Sequence, residues 1–211
     1  MVKLIATCVM LLFTFFNAQT AKAEPVSLVV LGDSLSAGYQ LAPGESFPAR
    51  LQNLLNAAGH QANVVNAGVS GDTASAGLSR LAWAVPEGTG LVIVELGAND
   101  ALRGIPPEET EKSLDEILSK LQAMGAQVIL AGMIAPPNMG EAYGQAFNTI
   151  YPRLAAKYQT ALYPFFLEGV ATNPDLNLAD GMHPNAKGVD VIAAGILPLV
   201  EEVLDSLQKD K

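Results

Sequence analysis

Four short polar segments of this 211-residue chain carry residue types suited to nucleophilic chemistry. They are Gly32-Asp33-Ser34-Leu35, Ser70-Gly71-Asp72, Gly97-Ala98-Asn99-Asp100 and Asp180-Gly181-Met182-His183-Pro184. A serine hydroxyl attacks poorly until a base removes its proton. The chain has two histidines. His60 follows Gly59 in a polar turn at a predicted helix end and suits a surface role. His183 follows Asp180 by three residues, and a turn opened by Gly181 lets both side chains point the same way. An acid beside an imidazole fixes its tautomer and stabilises the imidazolium. Asp-x-x-His is equally compatible with a helix-entry turn in which the acid is a cap. A tetrahedral intermediate would also need hydrogen-bond donors. The candidates are the Ser34 N–H, the Gly71 N–H and the Asn99 side-chain amide. Plainer uses exist for each: a strand-end bend at Asp33-Ser34, a turn at Gly71, a helix cap at Asn99-Asp100.

Composition removes several other chemistries. The single cysteine, Cys8, sits in an apolar leader, so a processed chain has no thiol for catalysis, disulfides or thiolate metal ligation. Neither the histidines nor any acid cluster has the spacing of a transition-metal set. No G-x-G-x-x-G or phosphate-binding glycine loop follows a strand. Gly32-Asp33-Ser34-Leu35-Ser36 misses the G-x-S-x-G elbow at its last position. The formal charge of −9 and the lack of any basic run argue against nucleic acid as a partner. No cofactor and no metal are expected.

The elements that must position these segments alternate between strand and helix. Val26–Leu31 reads as a buried strand stopped by Gly32, Val64-Val65 as a short second strand, and Leu91–Leu96 as a third ended by Gly97. Val128–Leu130 is a fourth and Ala161–Phe165 a short fifth. Helices are predicted from Phe47 to Ala58, Thr73 to Ala84, Pro107 to Met124, Ala142 to Tyr158 with a disturbance at Pro152, and Ala186 to Leu207 with another at Pro198. This alternation implies a parallel sheet covered on both faces. Ligands of such sheets collect beyond the carboxyl ends of the strands. The four polar segments all follow predicted strands, so one sheet edge would gather them.

Residues 1–23 have the form of a secretory leader: Lys3, an apolar run from Leu4 to Phe16, and Ala21-Lys22-Ala23 as a small-x-small cleavage site. The stretch is too short for a spanning helix, and Cys8 comes too early for lipid attachment. The mature chain is expected to start near Glu24, to form one domain over 24–211, and to reach the periplasm without a stable membrane anchor. Nothing in the pattern suggests a large apolar interface, so a monomer is expected.

The four segments together resemble the blocks of the SGNH, or GDSL, hydrolases, in the same order and across nearly the whole mature chain. "LGDSLSAGY", "SGDT", "VELGANDALRG", "IYPRLA" and "DGMHPN" are most similar to the thioesterase and arylesterase branch of that family. The resemblance implies a flavodoxin-like three-layer α/β/α sandwich with a five-stranded parallel sheet. It also implies Ser34 as nucleophile, His183 as base, Asp180 as its orienter, and Ser34, Gly71 and Asn99 around the oxyanion. The substrate would be a small-molecule acyl ester or thioester: an aryl ester, an acyl-CoA-type thioester or a lysophospholipid. Leu102, Ile105 and Met139 are expected as walls for the acyl chain, while the loop Ala135–Gly140 leaves chain-length preference open. A carbohydrate O-deacetylase on the same triad is the main alternative reading. A non-catalytic flavodoxin-like binding module is the other.

Overall fold

The structure is a computed structural model that describes residues 24–209. The expected leader, residues 1–23, lies outside them. Chain order runs β1 (Val26–Gly32), α1 (Ser34–Ala37), α2 (Phe47–Ala58), β2 (Ala62–Gly68), α3 (Ala74–Ser79), α4 (Leu81–Ala84), β3 (Leu91–Glu95) and α5 (Ala98–Leu102). It continues through α6 (Pro107–Ala123), β4 (Gln127–Ala131), a 3₁₀ turn at Pro137–Met139, α7 (Glu141–Asn148), α8 (Ile150–Tyr158), β5 (Ala161–Tyr163) and α9 (Ala186–Lys209). All strand pairings are parallel, in the order β2-β1-β3-β4-β5.

The order dictates the layers. Parallel crossovers are right-handed. The β1-to-β2 connection moves one way along the sheet, whereas β2-to-β3 and every later one move the other way. Their helices must therefore cover opposite faces. Accordingly α2 packs on α9, while α3 and α8 both pack on α6, giving the three-layer sandwich. The direction reverses between β1 and β3, the place where such sheets open a crevice at their carboxyl ends.

Burial follows the sequence pattern. Leu28–Leu31 of β1 and Leu91–Val94 of β3 are wholly inaccessible, as central strands covered on both faces must be. In α6 the buried residues Leu114, Ile117, Leu118 and Leu121 recur at helical spacing. Each such fully buried aliphatic side chain contributes about 2 kcal/mol of transfer free energy. Among the described residues no helix is long and apolar enough to cross a membrane.

Three elements differ from expectation for identifiable reasons. β2 runs over Ala62–Gly68 rather than two residues, because its partly exposed, Asn-containing edge gains its length from register with β1. The helix expected over Thr73–Ala84 divides at Arg80, whose backbone leaves helical geometry (φ −104°, ψ 1°) where its side chain turns toward the sheet. The helix expected over Ala142–Tyr158 divides at Thr149. Pro152 cannot donate to the Asn148 carbonyl, so the ladder breaks there; the proline then sits in the first turn of α8, where a missing N–H costs little.

Candidate active site

Asp33 is the N-cap of α1 and accepts from the Leu35 N–H at 2.9 Å. Ser34 is thereby the first helical residue, and the first amides of a helix have no intrahelical acceptor. Close packing makes this turn possible. Gly32 pairs in register with Glu95, and a Cβ on Gly32 would lie 2.5 Å from both Glu95 Oε2 and Ser36 Oγ.

Across 149 residues of sequence, His183 Nε2 lies 2.9 Å from Ser34 Oγ. Its Nδ1 lies 2.7 Å from Asp180 Oδ2. The other Asp180 oxygen accepts from the Met182 and His183 amides at 2.9 and 3.0 Å. Those two N–H groups, His183 foremost, hold the carboxyl down to about 2, so Asp180 is ionised at any ordinary pH. The Tyr39 ring packs against the imidazole at 4.5 Å between centroids. The loop itself is fastened by Leu178 N–H to His183 O at 2.7 Å and by the Asn177–Pro184 bridge.

Gly71 occupies the third position of a tight turn closed by Asp72 N–H to Val69 O at 3.1 Å. Its φ of +88° is the left-handed region that favours glycine. Among the described residues no acceptor takes its N–H. The Asn99 amide donates to Asp33 Oδ2 at 2.9 Å, which uses one of its two hydrogens and fixes the direction of the other. Ser34, Gly71 and Asn99 thus stand after β1, β2 and β3, at one sheet edge.

Two fully buried carboxylates lie under this surface. Asp33 is pushed up to about 6 by burial, against the opposing pull of the Leu35 N–H and the Asn99 amide. Glu95 ends β3, and its Oε2 lies 2.5 Å from Ser36 Oγ and 3.3 Å from the Asp33 amide. Its Oε1 is buried without a partner. Burial first, then the Asp33 charge, pushes Glu95 well above the usual carboxylate range. Two adjacent buried charges without a paired cation cannot both persist. Asp33 has the better donors, so Glu95, whose pKa is raised by burial and by the Asp33 charge, is the group expected to keep a proton. Folding then binds a proton that the unfolded chain releases above its ordinary carboxylate range, so this group lowers stability as pH rises. Glu95→Gln removes that loss. Its urea midpoint should move upward relative to wild type as pH is raised from 5 to 8, and a pH-independent difference would contradict a protonated Glu95.

Arg80 joins the two turns. Its Nε donates to Asp72 Oδ2 at 2.5 Å and its Nη2 to the Gly32 carbonyl at 2.9 Å, with the side chain almost wholly buried. Asp100, beside Asn99, is a structural tie: it accepts from the Ala74 N–H at 2.9 Å and the Thr110 hydroxyl at 3.0 Å. Sequence reasoning passed over Asp33, Glu95 and Arg80 as site residues. The one available signal was Glu95, a charge closing an otherwise apolar buried strand.

Of the expected acyl walls, Leu102 is exposed, and Met139 Cε would lie 3.4 Å from a Cβ placed on Gly104. The Ile105 carbonyl accepts from the Tyr143 hydroxyl at 2.8 Å. Ile134 and Met182, on loops at the same edge, are further exposed apolar side chains that the sequence reading did not single out. His60 sits elsewhere, 3.4 Å from Glu201 of α9. An open groove of about 430 Å³ between α6 and α8 is lined mainly by charged side chains such as Glu111, Lys112 and Arg153, and contains none of the four segments. Among the described residues no group of three or more His, Cys, Asp or Glu side chains could hold a metal ion.

If Asn99 supplies one of the oxyanion donors, Asn99→Ala costs about 3 kcal/mol of transition-state stabilisation, a loss on the order of 10²–10³ in kcat. It also strips Asp33 of a donor that lowers its pKa, so the Asp33 titration should move up. Steady-state kinetics across pH read both effects; unchanged kcat would take the amide out of the hole.

A family profile described as GDSL-like Lipase/Acylhydrolase matches residues 30–191. An arylesterase of Vibrio mimicus is 42% identical over 86% of this chain and 92% of its own length. A protein of Escherichia coli named thioesterase 1/protease 1/lysophospholipase L1 is 40% identical over 89% of this chain and 92% of its own. Among solved structures, a crystal structure of TesA superposes with a TM-score of 0.80 at 40% identity, covering 84% of this chain and 99% of that one.

Proposed function

The chain belongs to the GDSL-like lipase/acylhydrolase family and hydrolyses ester bonds; on that premise we propose that Ser34, His183 and Asp180 carry the reaction. The observation behind this assignment is the unbroken contact from Asp180 Oδ2 through the imidazole to Ser34 Oγ, at 2.7 and 2.9 Å.

Ser34 Oγ attacks the acyl carbonyl carbon while His183 Nε2 takes its proton. Asp180, ionised and held by two backbone amides, keeps Nδ1 protonated, so Nε2 is the free acceptor. The oxyanion meets the Ser34 and Gly71 N–H groups and the Asn99 amide hydrogen not used by Asp33. As the tetrahedral intermediate collapses, His183 returns the proton to the departing alcohol or thiol. Water then enters, loses a proton to His183 and attacks the acyl-serine. Collapse releases the carboxylic acid, and the proton returns to Ser34. No cofactor takes part in this sequence.

Substrates are carboxylic esters and thioesters with an apolar acyl group lying along Leu102, Ile105 and Met139. The names of the relatives, which include arylesterase, thioesterase and lysophospholipase, support that range. The leader-like residues 1–23 support secretion, with the mature enzyme working in the periplasm as a monomer.

The test is a panel of p-nitrophenyl esters and matched N-acetylcysteamine thioesters from acetyl to palmitoyl. Turnover of both leaving-group types on medium and long chains is expected. Activity confined to acetyl esters would instead place the enzyme with deacetylases.

A further inference from the structure

Among the described residues, two arginines stand beside the oxyanion turn, and they are in opposite states. Arg80 is buried and committed to Asp72 and Gly32. Arg103, which follows α5, is exposed. Its Nη2 donates to the Gly71 carbonyl at 2.7 Å. That bond seats the guanidinium directly against the residue whose N–H faces the oxyanion in the proposed mechanism. A guanidinium has five N–H donors, and this contact uses one.

The nearby acids do not consume the rest. Asp72 is paired with Arg80 at 2.5 Å. Asp100 feels the Arg103 charge, but its two oxygens are taken by Ala74 and Thr110. No carboxylate among the described residues comes within 4.0 Å of the Arg103 guanidinium, whereas Arg80 and Arg153 each have one and Arg50 has two. The chain is otherwise acidic, with a formal charge of −9. Such a surface repels an anionic substrate unless a local cation offsets it.

The two sides of the hole also differ in polarity. Leu102 is exposed, and Met139, in the turn that follows β4, brings its Cε to 3.4 Å from where a Cβ on Gly104, between Leu102 and Ile105 in sequence, would lie. Ser70, Gly71 and the Arg103 guanidinium lie on the β2 side. An acyl ester whose alcohol or thiol part bears a phosphate has the same division, apolar on one side of the carbonyl and anionic on the other.

We propose that Arg103 forms a leaving-group subsite, its guanidinium binding a phosphate on the alcohol or thiol portion of the substrate. The subsite rests on the ester-hydrolase reading above and assigns the orientation of the substrate within it: acyl chain toward β4, phosphate toward Gly71. A nucleotide-bearing thiol such as coenzyme A and a glycerophospholipid headgroup both present this chemistry.

Arg103→Gln tests it with substrates paired by acyl chain. Palmitoyl-coenzyme A is compared with palmitoyl-N-acetylcysteamine, and palmitoyl-lysophosphatidylcholine with monopalmitoylglycerol. The expected result is a fall of about tenfold in the ratio of kcat/KM for the phosphate-bearing member over its phosphate-free partner, expressed mainly in KM. The wild-type ratio should also fall as salt rises from 0.05 to 0.5 M. The pair that shows the change names the phosphate source. Unchanged ratios in both pairs overturn the subsite, including the case in which all four substrates lose activity equally because the arginine acts only by holding Gly71. Calorimetric titration of coenzyme A and of glycerol 3-phosphocholine into the wild type and Arg103→Gln needs no turnover. If the wild type hydrolyses none of the esters, the catalytic reading fails by itself. Binding of either ligand that is lost in Arg103→Gln still supports the subsite, and absence of binding by the wild type refutes it.

Discussion

Ser34→Ala should lose turnover by a factor on the order of 10⁵–10⁶, with the fold intact. In serine hydrolases generally, removing the nucleophile costs about that much in kcat, because the oxyanion donors and bound geometry remain but the covalent route is gone. The factor corresponds to roughly 7–8 kcal/mol of barrier. Little else should change. Asp33 still caps α1 through the Leu35 N–H, and His183 stays anchored by Asp180 and by its own carbonyl. Alanine is a good residue for the first turn of a helix. A shift in stability within about 0.5 kcal/mol is therefore expected. A fluorophosphonate probe should label the wild type and leave the variant untouched. Labelling that survives the substitution would move the nucleophile elsewhere in the chain.

Asp180→Asn should cost about 10⁴ in kcat near neutral pH. The reason is the tautomer. Asparagine can keep one oxygen toward the Met182 and His183 amides, which preserves the loop. It would then direct an N–H toward Nδ1, which must become an acceptor. The ring proton shifts to Nε2, and the nitrogen facing Ser34 can no longer take a proton. The same geometry governs pH dependence. Asp180, held down to about 2, stays charged throughout the working range and contributes no acid limb there. Any stability that it adds is present above its unfolded pKa and is lost only as pH falls through about 2. Asp33, at about 6, does titrate in the working window: as pH drops below that value it gains a proton and ceases to attract the imidazolium of His183. Rate measurements from pH 4 to 9, with circular dichroism to verify folding, separate these contributions. A loss below tenfold in Asp180→Asn would deny the acid its orienting role.

Much of the site was legible because a parallel sheet makes sequence position predict spatial position. Ser34, Gly71 and Asn99 each follow a strand, and all strands end at one edge. Their approach needed only the alternation of strand and helix. The Asp180-to-His183 spacing is local, so its geometry is a property of one turn. The divided helices were harder. The break at Thr149 has its cause in Pro152, which the sequence displays, although the cut falls three residues earlier because the missing donor belongs to the preceding turn. The break at Arg80 has no local signal, since its partners Gly32 and Asp72 lie 48 and 8 residues away.

Composition and periodicity by themselves determined the class of fold, the edge on which chemistry would collect and the residue types available there. Hydrophobic burial and chain direction are encoded residue by residue, so they can be read that way. Tertiary structure alone decided that Asn99 is aimed by Asp33, that Glu95 is buried against Ser36 and the Asp33 amide with its pKa raised, and that Arg80 is spent internally while Arg103 is left open. Each of these rests on side chains that meet only after the strands have paired. Whether a charge is buried, matched or free depends on the neighbours that packing supplies.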